Sequence, residues 1–132
     1  MRDSKTVRGS EGKGARASGA RGRSTGFPVL DDAIVLCAEV RVLVASISRH
    51  DRKLATQLND AAKSVGANIA EGLHRRGGHQ RERFETAYGS AQEVKAHLQI
   101  AWALGVLDGG ERAHRLADGI AAQLWRCQHR RH

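Results

Sequence analysis

The sequence predicts an all-α protein: an antiparallel, up-down-up-down four-helix bundle with a disordered basic N-terminal tail. Three observations predict this fold class. Apolar residues recur every three or four positions in four separate stretches, short connections join these stretches, and no run of alternating β-branched residues indicates a sheet. A chain of 132 residues is long enough for one modest core and too short for two ordinary domains. Helices joined by short connections pack as antiparallel neighbours.

Residues 1–26 form the predicted tail and residues 27–132 the predicted bundle domain. The tail is rich in Gly, Ser, Ala and Arg and offers almost nothing to a core, so we expect it to be disordered. Its seven Lys or Arg and two acidic residues give it +5 of the chain's net charge of +8. Because Met1 is the only Met, translation from a non-Met codon further in is an alternative. No segment resembles a signal peptide or a membrane span, so we expect a soluble, cytoplasmic protein.

The first predicted helix spans about residues 30–48 and is unusually apolar. Within IVLCAEVRVLVASI only Glu39 and Arg41 are charged, so the apolar surface is wider than the single stripe that a bundle core needs. Such a helix must be covered on more than one side. In a small bundle the additional cover is a neighbouring subunit, and we therefore expect identical copies to assemble.

The second predicted helix runs from Asp51, its N-cap, to about Glu71. Gly66 costs about 1 kcal/mol relative to Ala in a helix interior. Together with Ala62 and Ala70 it forms a ridge of small residues, which we expect to allow close approach of another helix.

Asn68 and Glu71 also suit a solvated helix poorly. Asn competes with the helical backbone for hydrogen bonds, so we expect Asn68 to be half-buried and hydrogen-bonded. Glu71 lies at the C-terminus of its own helix, where the macrodipole disfavours an anion. We expect its carboxylate to interact with the positive N-terminal end of the third helix.

The third predicted helix spans about residues 79–104, and Gly105 is placed to be its C′ residue. Asp108 and Glu111 resemble a capping box that starts the fourth helix. Apolar residues at spacings of three and four continue this helix to Cys127.

No metal site or cofactor is predicted. Two E-x-x-H pairs, at 71–74 and 111–114, suggest a di-iron site, but all of the third helix separates them, roughly 35–40 Å at 1.5 Å per residue. Cys37 and Cys127 belong to no CxxC pattern and are expected to be small buried hydrophobes. His97, in the middle of the third helix, is expected to be a hydrogen-bonded structural residue.

No catalytic centre is predicted either, and we expect the protein not to be an enzyme. The sequence contains no HExxH, P-loop, G-x-S-x-G or dinucleotide-binding motif, and no recognisable motif pairs a nucleophile with a base.

Arginines are concentrated in two short stretches, HRRGGHQRER after the second helix and RCQHRRH at the C-terminus. In an up-down-up-down bundle these stretches lie at the same end and form one basic rim. Such a rim can neutralise phosphates and bind nucleic acid with little sequence preference. The alternative is a solvated basic surface that only keeps the protein soluble. The candidate nucleic-acid-binding residues are Arg75, Arg76, Arg81, Arg83, Arg126, Arg130 and Arg131.

Several motifs occur together within residues 30–128. They are N-I-A-E-G (68–72), an arginine pair (75–76), F-x-x-A-x-G-S-x-x-E (84–93) and L-G-x-L (104–107). This combination resembles the four-helix bundle family named for proteins encoded in intervening sequences of the large-subunit (23S) ribosomal RNA. The chain departs from the family pattern at Gly77-Gly78, where a Ser or Thr often caps the third helix.

The resemblance implies a small, cytoplasmic bacterial protein that forms a ring-like homopentamer. A relative, the accessory variability determinant of diversity-generating retroelements, is a basic pentameric barrel that binds nucleic acid and its reverse transcriptase. Candidate partners are therefore further copies of the chain, RNA or DNA, and a reverse transcriptase or other protein. No interaction with a membrane is expected. The residues expected to be architectural are Gly66, Asn68, Glu71, Gly72, Ser90 and Glu93.

Two functions follow from the sequence. The first is a non-enzymatic, oligomeric nucleic-acid-binding accessory protein. The second is a homo-oligomeric scaffold that binds another protein without direct nucleic-acid contact.

Overall fold

The computed structural model describes residues 24–130, which fold into four α-helices around one core. The predicted all-α, four-helix fold is confirmed, and the described residues contain no strand. Most of the predicted tail, residues 1–23, and the predicted site residue Arg131 lie outside the described residues. The helices are α1 (Pro28–Ile47), α2 (Arg52–Leu73), α3 (Gly77–Ala103) and α4 (Glu111–Gln128).

The core draws on all four helices. Both α1 and α3 contact α2 and α4, so the helices surround a common apolar interior. Its largest fully buried side chains include Leu36, Leu58, Leu98 and Leu124, one from each helix. Burial of these apolar surfaces is the main favourable contribution to folding.

The first helix begins two residues before its predicted start, because its N-terminus is fixed by the residues that precede it. Asp31 in the first turn accepts hydrogen bonds from the backbone N–H and the hydroxyl of Thr25, at 2.8 and 2.9 Å. The Ser24 hydroxyl donates to the same carboxylate at 3.1 Å. Pro28 occupies the start of the helix, where a missing N–H has no cost. The last residues of the predicted tail therefore lie against α1.

α1 also carries apolar side chains on its outer surface. Leu36 and Ile47 are fully buried, whereas Ile34 is 44% exposed and Val42 is 71% exposed. The prediction that the apolar surface of α1 exceeds one stripe is confirmed. Among residues 24–130, none of the helices combines the length and apolar character that crossing a membrane would require.

Two predicted helix ends are confirmed. The Asp51 carboxylate caps α2 by accepting from the Leu54 N–H at 2.9 Å. At the end of α3, Gly105 has a φ of +73° and donates its N–H to the Trp102 carbonyl, while Val106 donates to the Ala101 carbonyl. This pair of hydrogen bonds is a Schellman motif, which needs a left-handed residue at C′.

The predicted capping box of α4 is wrong. The N-cap is Gly110, which has a φ of +96° and provides no side-chain cap, and Asp108 is exposed in the preceding connection. The Trp102 indole N–H donates to the Gly109 carbonyl at 2.7 Å and so fixes this connection against α3. A tertiary contact, which the local D-x-x-E pattern does not contain, therefore determines where α4 begins.

Two further predictions are corrected: that both cysteines are buried, and that His97 is hydrogen-bonded. Cys37 is half-buried with its Sγ 3.4 Å from the Ala62 carbonyl, and burial raises the pKa of its thiol. Cys127 is exposed, because α4 extends beyond Leu124, its last buried residue. The Nδ1 atom of His97 is buried but has no hydrogen-bond partner among the described residues.

Of the two glycines, Gly72 makes the closer helix contact, although the sequence predicts this role for Gly66. A Cβ added to Gly66 would be 3.8 Å from the Ala33 Cβ on α1, an ordinary van der Waals contact. A Cβ added to Gly72 would be 2.6 Å from a ring carbon of Phe84 on α3. Gly66 therefore faces a helix but leaves room for a methyl group, whereas the contact between α2 and α3 requires Gly72.

We predict opposite effects for alanine at these two glycines. Gly72→Ala should lower the free energy of unfolding by about 1–3 kcal/mol, because Phe84 must move to accommodate the new methyl group. Gly66→Ala is the matched control. It should be neutral or stabilise by up to about 1 kcal/mol, because Ala has the higher helix propensity. Urea unfolding followed by circular dichroism measures both, and equal stabilities for the two variants would contradict the prediction.

Candidate nucleic-acid interface

The arginine-rich stretch after α2 and the described part of the C-terminal stretch, residues 126–130, both adjoin the first half of α3. Near the start of α3, the ring of Phe84 packs against Gly72 at the end of α2. One turn further along α3, the ring centroid of Tyr88 is 6.2 Å from that of Trp125, in the last part of α4. Both contacts fall in the first half of α3, so the end of α2 and the end of α4 pack along the same half of this helix. We call this region the arginine end; it comprises Arg75, Arg76, Arg81, Arg83, Arg126 and Arg130.

A side chain that sequence reasoning missed holds the α2–α3 turn together. Gln80, in the first turn of α3, donates from Nε2 to the carbonyls of Gly72 and Arg75, at 3.1 and 3.2 Å. The Gly72 carbonyl, in the last turn of α2, also accepts from the backbone N–H of Arg75 at 3.0 Å, and Arg75 itself lies in the turn. The N-cap of α3 is Arg76, without a side-chain cap, and Gly77 has a φ of +55°. Gln80 thus strengthens a turn that lacks a capping Ser or Thr, which is often present there in the family that the sequence resembles.

Glu71 does not bind the N-terminal end of α3, and that prediction is wrong. Its carboxylate accepts hydrogen bonds from the Nε and Nη2 atoms of Arg75, with the Nε contact at 2.7 Å. Residues four apart on a helix are neighbours on its surface, which makes this ion pair local. The hydrogen bond from Arg75 and the charge of its guanidinium lower the pKa of Glu71, and the charge of Arg83 adds a smaller effect. Part of the positive charge of Arg75 is thereby neutralised.

Asn68 and Ser90 belong to a polar network between α2 and α3. The hydroxyls of Ser64 and Ser90 are 2.7 Å apart, and Ser90 is buried. The predicted hydrogen bonding of Asn68 is observed: its Nδ2 donates to the Ser64 carbonyl at 2.9 Å and lies 3.1 Å from the Ser64 hydroxyl. Its Oδ1 accepts from Nη1 of Arg83 at 3.2 Å. The network therefore extends from the interior to an arginine at the surface, and it orients that side chain.

The other predicted site residues are at the surface. Arg76 and Arg81 are exposed, and no side-chain partner for either lies within residues 24–130. Arg126 and Arg130 are exposed at the end of α4. Glu93 is exposed on α3, so its predicted architectural role has no supporting contact in the described part of the chain.

The arginine end is basic but also includes carboxylates. Residues 74–85 contain four Arg and two Glu, a net charge of +2 with His neutral. Glu82 and Glu85 are both exposed beside the arginines. A polyanion would therefore be attracted to specific arginines rather than to a uniformly positive surface.

The described residues contain no group of side chains placed to bind a metal ion. Within residues 24–130, no three His, Cys, Asp or Glu side chains converge on a point that could hold a metal ion. An open groove elsewhere provides carboxylate, guanidinium and apolar groups but neither thiol, hydroxyl nor imidazole; it is lined by Asp32, Arg112, Arg115, Leu116 and Gly119.

Comparison with protein families identifies a match that covers most of the chain. The family model described as 23S rRNA-intervening sequence protein matches residues 26–125. The matched region includes α1, α2, α3 and most of α4, and it contains the arginines of the α2–α3 turn but not Arg126 or Arg130. No curated protein shows significant similarity to the sequence.

The ion pair at the turn leads to a prediction about pH. In an NMR titration, the Glu71 carboxyl should have a midpoint below its usual value near 4.5, and Arg75→Gln should move the midpoint back towards it. Because the pKa is lower in the folded state, the ion pair stabilises the fold above the usual value, and this contribution disappears as the pH falls through the lowered pKa.

The matched control is Arg83→Gln, which should raise the midpoint of Glu71 less, because Arg83 acts on it through charge alone. An unchanged midpoint in Arg75→Gln would show that the pair does not form in solution.

Proposed function

We propose that this chain, which belongs to the 23S rRNA intervening-sequence protein family, is a non-enzymatic, oligomeric nucleic-acid-binding accessory protein. The observation that carries the proposal is the arginine end, where two separate segments of the chain that carry exposed arginines both adjoin the first half of α3. Arginine binds phosphate through a planar fork of donors, and each phosphate that it neutralises releases bound counterions. Such binding tolerates different sequences and weakens as salt rises.

The arginines differ in how readily they can bind phosphate. Arg76 and Arg81 should bind phosphate most readily, because both are exposed and have no side-chain partner in the described chain. Arg83 keeps further donors free while Asn68 holds one of its nitrogens, so its orientation is partly fixed in advance. Arg75 must share its guanidinium with Glu71 and should contribute less.

We further propose the antiparallel up-down-up-down arrangement of the helices. Ala33 on α1 lies beside Gly66 on α2, while Cys37, one turn later on α1, contacts Ala62, one turn earlier on α2. Residues later on one helix thus meet residues earlier on the other, as antiparallel helices require. The same order holds for α3 and α4, where Lys95 bonds Asp118 and Gln99 contacts His114.

The outer surface of α1 supports assembly of identical copies, which the family resemblance implies to be a homopentamer. Val42 and Ile34 are exposed although they are large and apolar, and burying them between copies would remove that surface from water. Each additional copy would also present a further arginine end. A single polyanion bound to several of them would gain affinity through the raised effective concentration.

The same α1 surface favours a second function, a scaffold that binds another protein. In this case Val42 and Ile34 are covered by a different chain, for example a reverse transcriptase, and the arginine end makes no contact with nucleic acid. Either function would operate in the cytoplasm of a bacterium, the location that the family resemblance implies.

The nucleic-acid proposal predicts a change in salt dependence. For Arg76→Gln/Arg81→Gln, the slope of log affinity against log salt should become shallower by about 0.7–0.9 for each lost phosphate contact. Fluorescence anisotropy with structured RNA and with DNA, at several salt concentrations, measures this slope.

The matched control is Arg49→Gln/Arg52→Gln, which removes the same charge from exposed residues at the α1–α2 turn. An equal effect of both double variants would show that binding follows net charge rather than the arginine end. Absence of binding by the unaltered protein at low salt would contradict the proposal and favour the scaffold.

Assembly through α1 predicts a second result. Light scattering of the purified protein should give a mass several times 14.3 kDa, and Val42→Glu should reduce it, because a buried carboxylate at an apolar interface is strongly unfavourable. Thr56→Glu, on the exposed surface of α2, should leave the mass unchanged. A monomeric unaltered protein would contradict assembly.

A further inference from the structure

Three aromatic rings form a column at the arginine end. The imidazole of His129 stacks on the indole of Trp125, with ring centroids 3.5 Å apart and planes at 20°. On α3, Tyr88 contacts the same indole, with centroids 6.2 Å apart and planes at 43°. Although two other rings contact it, Trp125 is still 51% exposed. Tyr88 packs against the core, whereas Trp125 and His129 present aromatic surface to solvent.

Exposed arginines lie near this column along the chain. Arg126 follows Trp125 directly, Arg130 follows His129, and both are exposed. Arg81 precedes Tyr88 by seven residues on α3, so it lies on the same side of the helix, about 10 Å closer to its start. Exposed aromatic rings between arginines are the combination by which proteins hold unpaired nucleotides, because the rings stack on bases while the arginines neutralise phosphates.

We propose that the indole of Trp125 is a stacking surface for an unpaired nucleobase, so that the arginine end prefers single-stranded nucleic acid to a duplex. This inference rests on the proposed nucleic-acid function and specifies the ligand of the same site. A duplex presents its backbone to the arginines but hides the faces of its bases, whereas a single strand offers both.

His129 occupies the place of the base in the free protein. Its ring shows that the indole face accepts a parallel planar group at stacking distance. It lies one residue beyond the end of α4, and its Nδ1 is 2.9 Å from the Trp125 carbonyl. The side chain is exposed and is held by this contact and by the stack on the indole, both of which an incoming base can replace.

The first test compares a short single-stranded RNA of mixed sequence with its duplex, using fluorescence anisotropy. Trp125→Ala should weaken binding of the single strand about 5- to 100-fold and leave binding of the duplex nearly unchanged. Trp125→Phe should retain most of the affinity, since a phenyl ring still stacks. Arg126→Gln is the charge control, and it should weaken binding of both RNAs to a similar degree.

Tryptophan fluorescence provides a second readout that leaves Trp125 unaltered. The sequence contains two Trp, so Trp102→Phe makes Trp125 the single fluorophore. The single strand should quench its emission at saturation, and the duplex should not. His129→Ala should raise the affinity for the single strand by uncovering the indole. A large loss of affinity in His129→Ala would place the base on the imidazole instead and would overturn the proposal.

The outcomes separate this inference from the proposed function. If both RNAs bind but Trp125→Ala changes neither affinity, stacking is overturned and nucleic-acid binding stands. If neither RNA binds at low salt, both are overturned. If Trp125→Ala lowers the mass measured by light scattering while both affinities remain unchanged, the indole lies in an interface between copies and the stacking proposal is overturned.

Discussion

The arginine end depends on the close contact between α2 and α3. Gly72 brings the two backbones near enough for the ring of Phe84 to lie directly on α2, where any side chain would push it away. The same approach places Ser64 within hydrogen-bond distance of Ser90 and brings Asn68 to Arg83. Because Gly72 has no side chain, α2 and α3 can pack closely, and this close packing also determines the position of the Arg83 guanidinium at the surface.

The helices could be predicted from the sequence because their signals are local. The apolar spacing, the Asp51 cap and the Gly105 terminus each depend on a few neighbouring residues, and all appear in the structure. The start of α4 could not be predicted in the same way. It depends on the indole of Trp102 holding the Gly109 carbonyl, a contact that exists only once α3 has ended and the chain has turned back.

The candidate site shows the same division between local and distant contacts. The pairs Glu71–Arg75 and Trp125–His129 are each four residues apart, so helix geometry alone could have indicated them. The Arg83–Asn68 contact spans fifteen residues and joins two helices, and the packing of Tyr88 on Trp125 joins α3 to α4. The sequence therefore identifies which arginines are present, but the fold determines which of them are oriented, neutralised or free.

The two exposed features of the fold respond to different forces. The apolar surface of α1 loses unfavourable contact with water when it is covered, and salt does not screen that effect. The arginine end attracts anions through charge, which salt screens within about 10 Å at 0.1 M. Val42 lies in the C-terminal half of α1, whereas the arginine end lies near the N-terminal part of α3 and the end of α4. Covering Val42 therefore leaves the arginine end accessible, and because salt screens charge but not apolar burial, rising salt should release a bound polyanion while the copies remain associated.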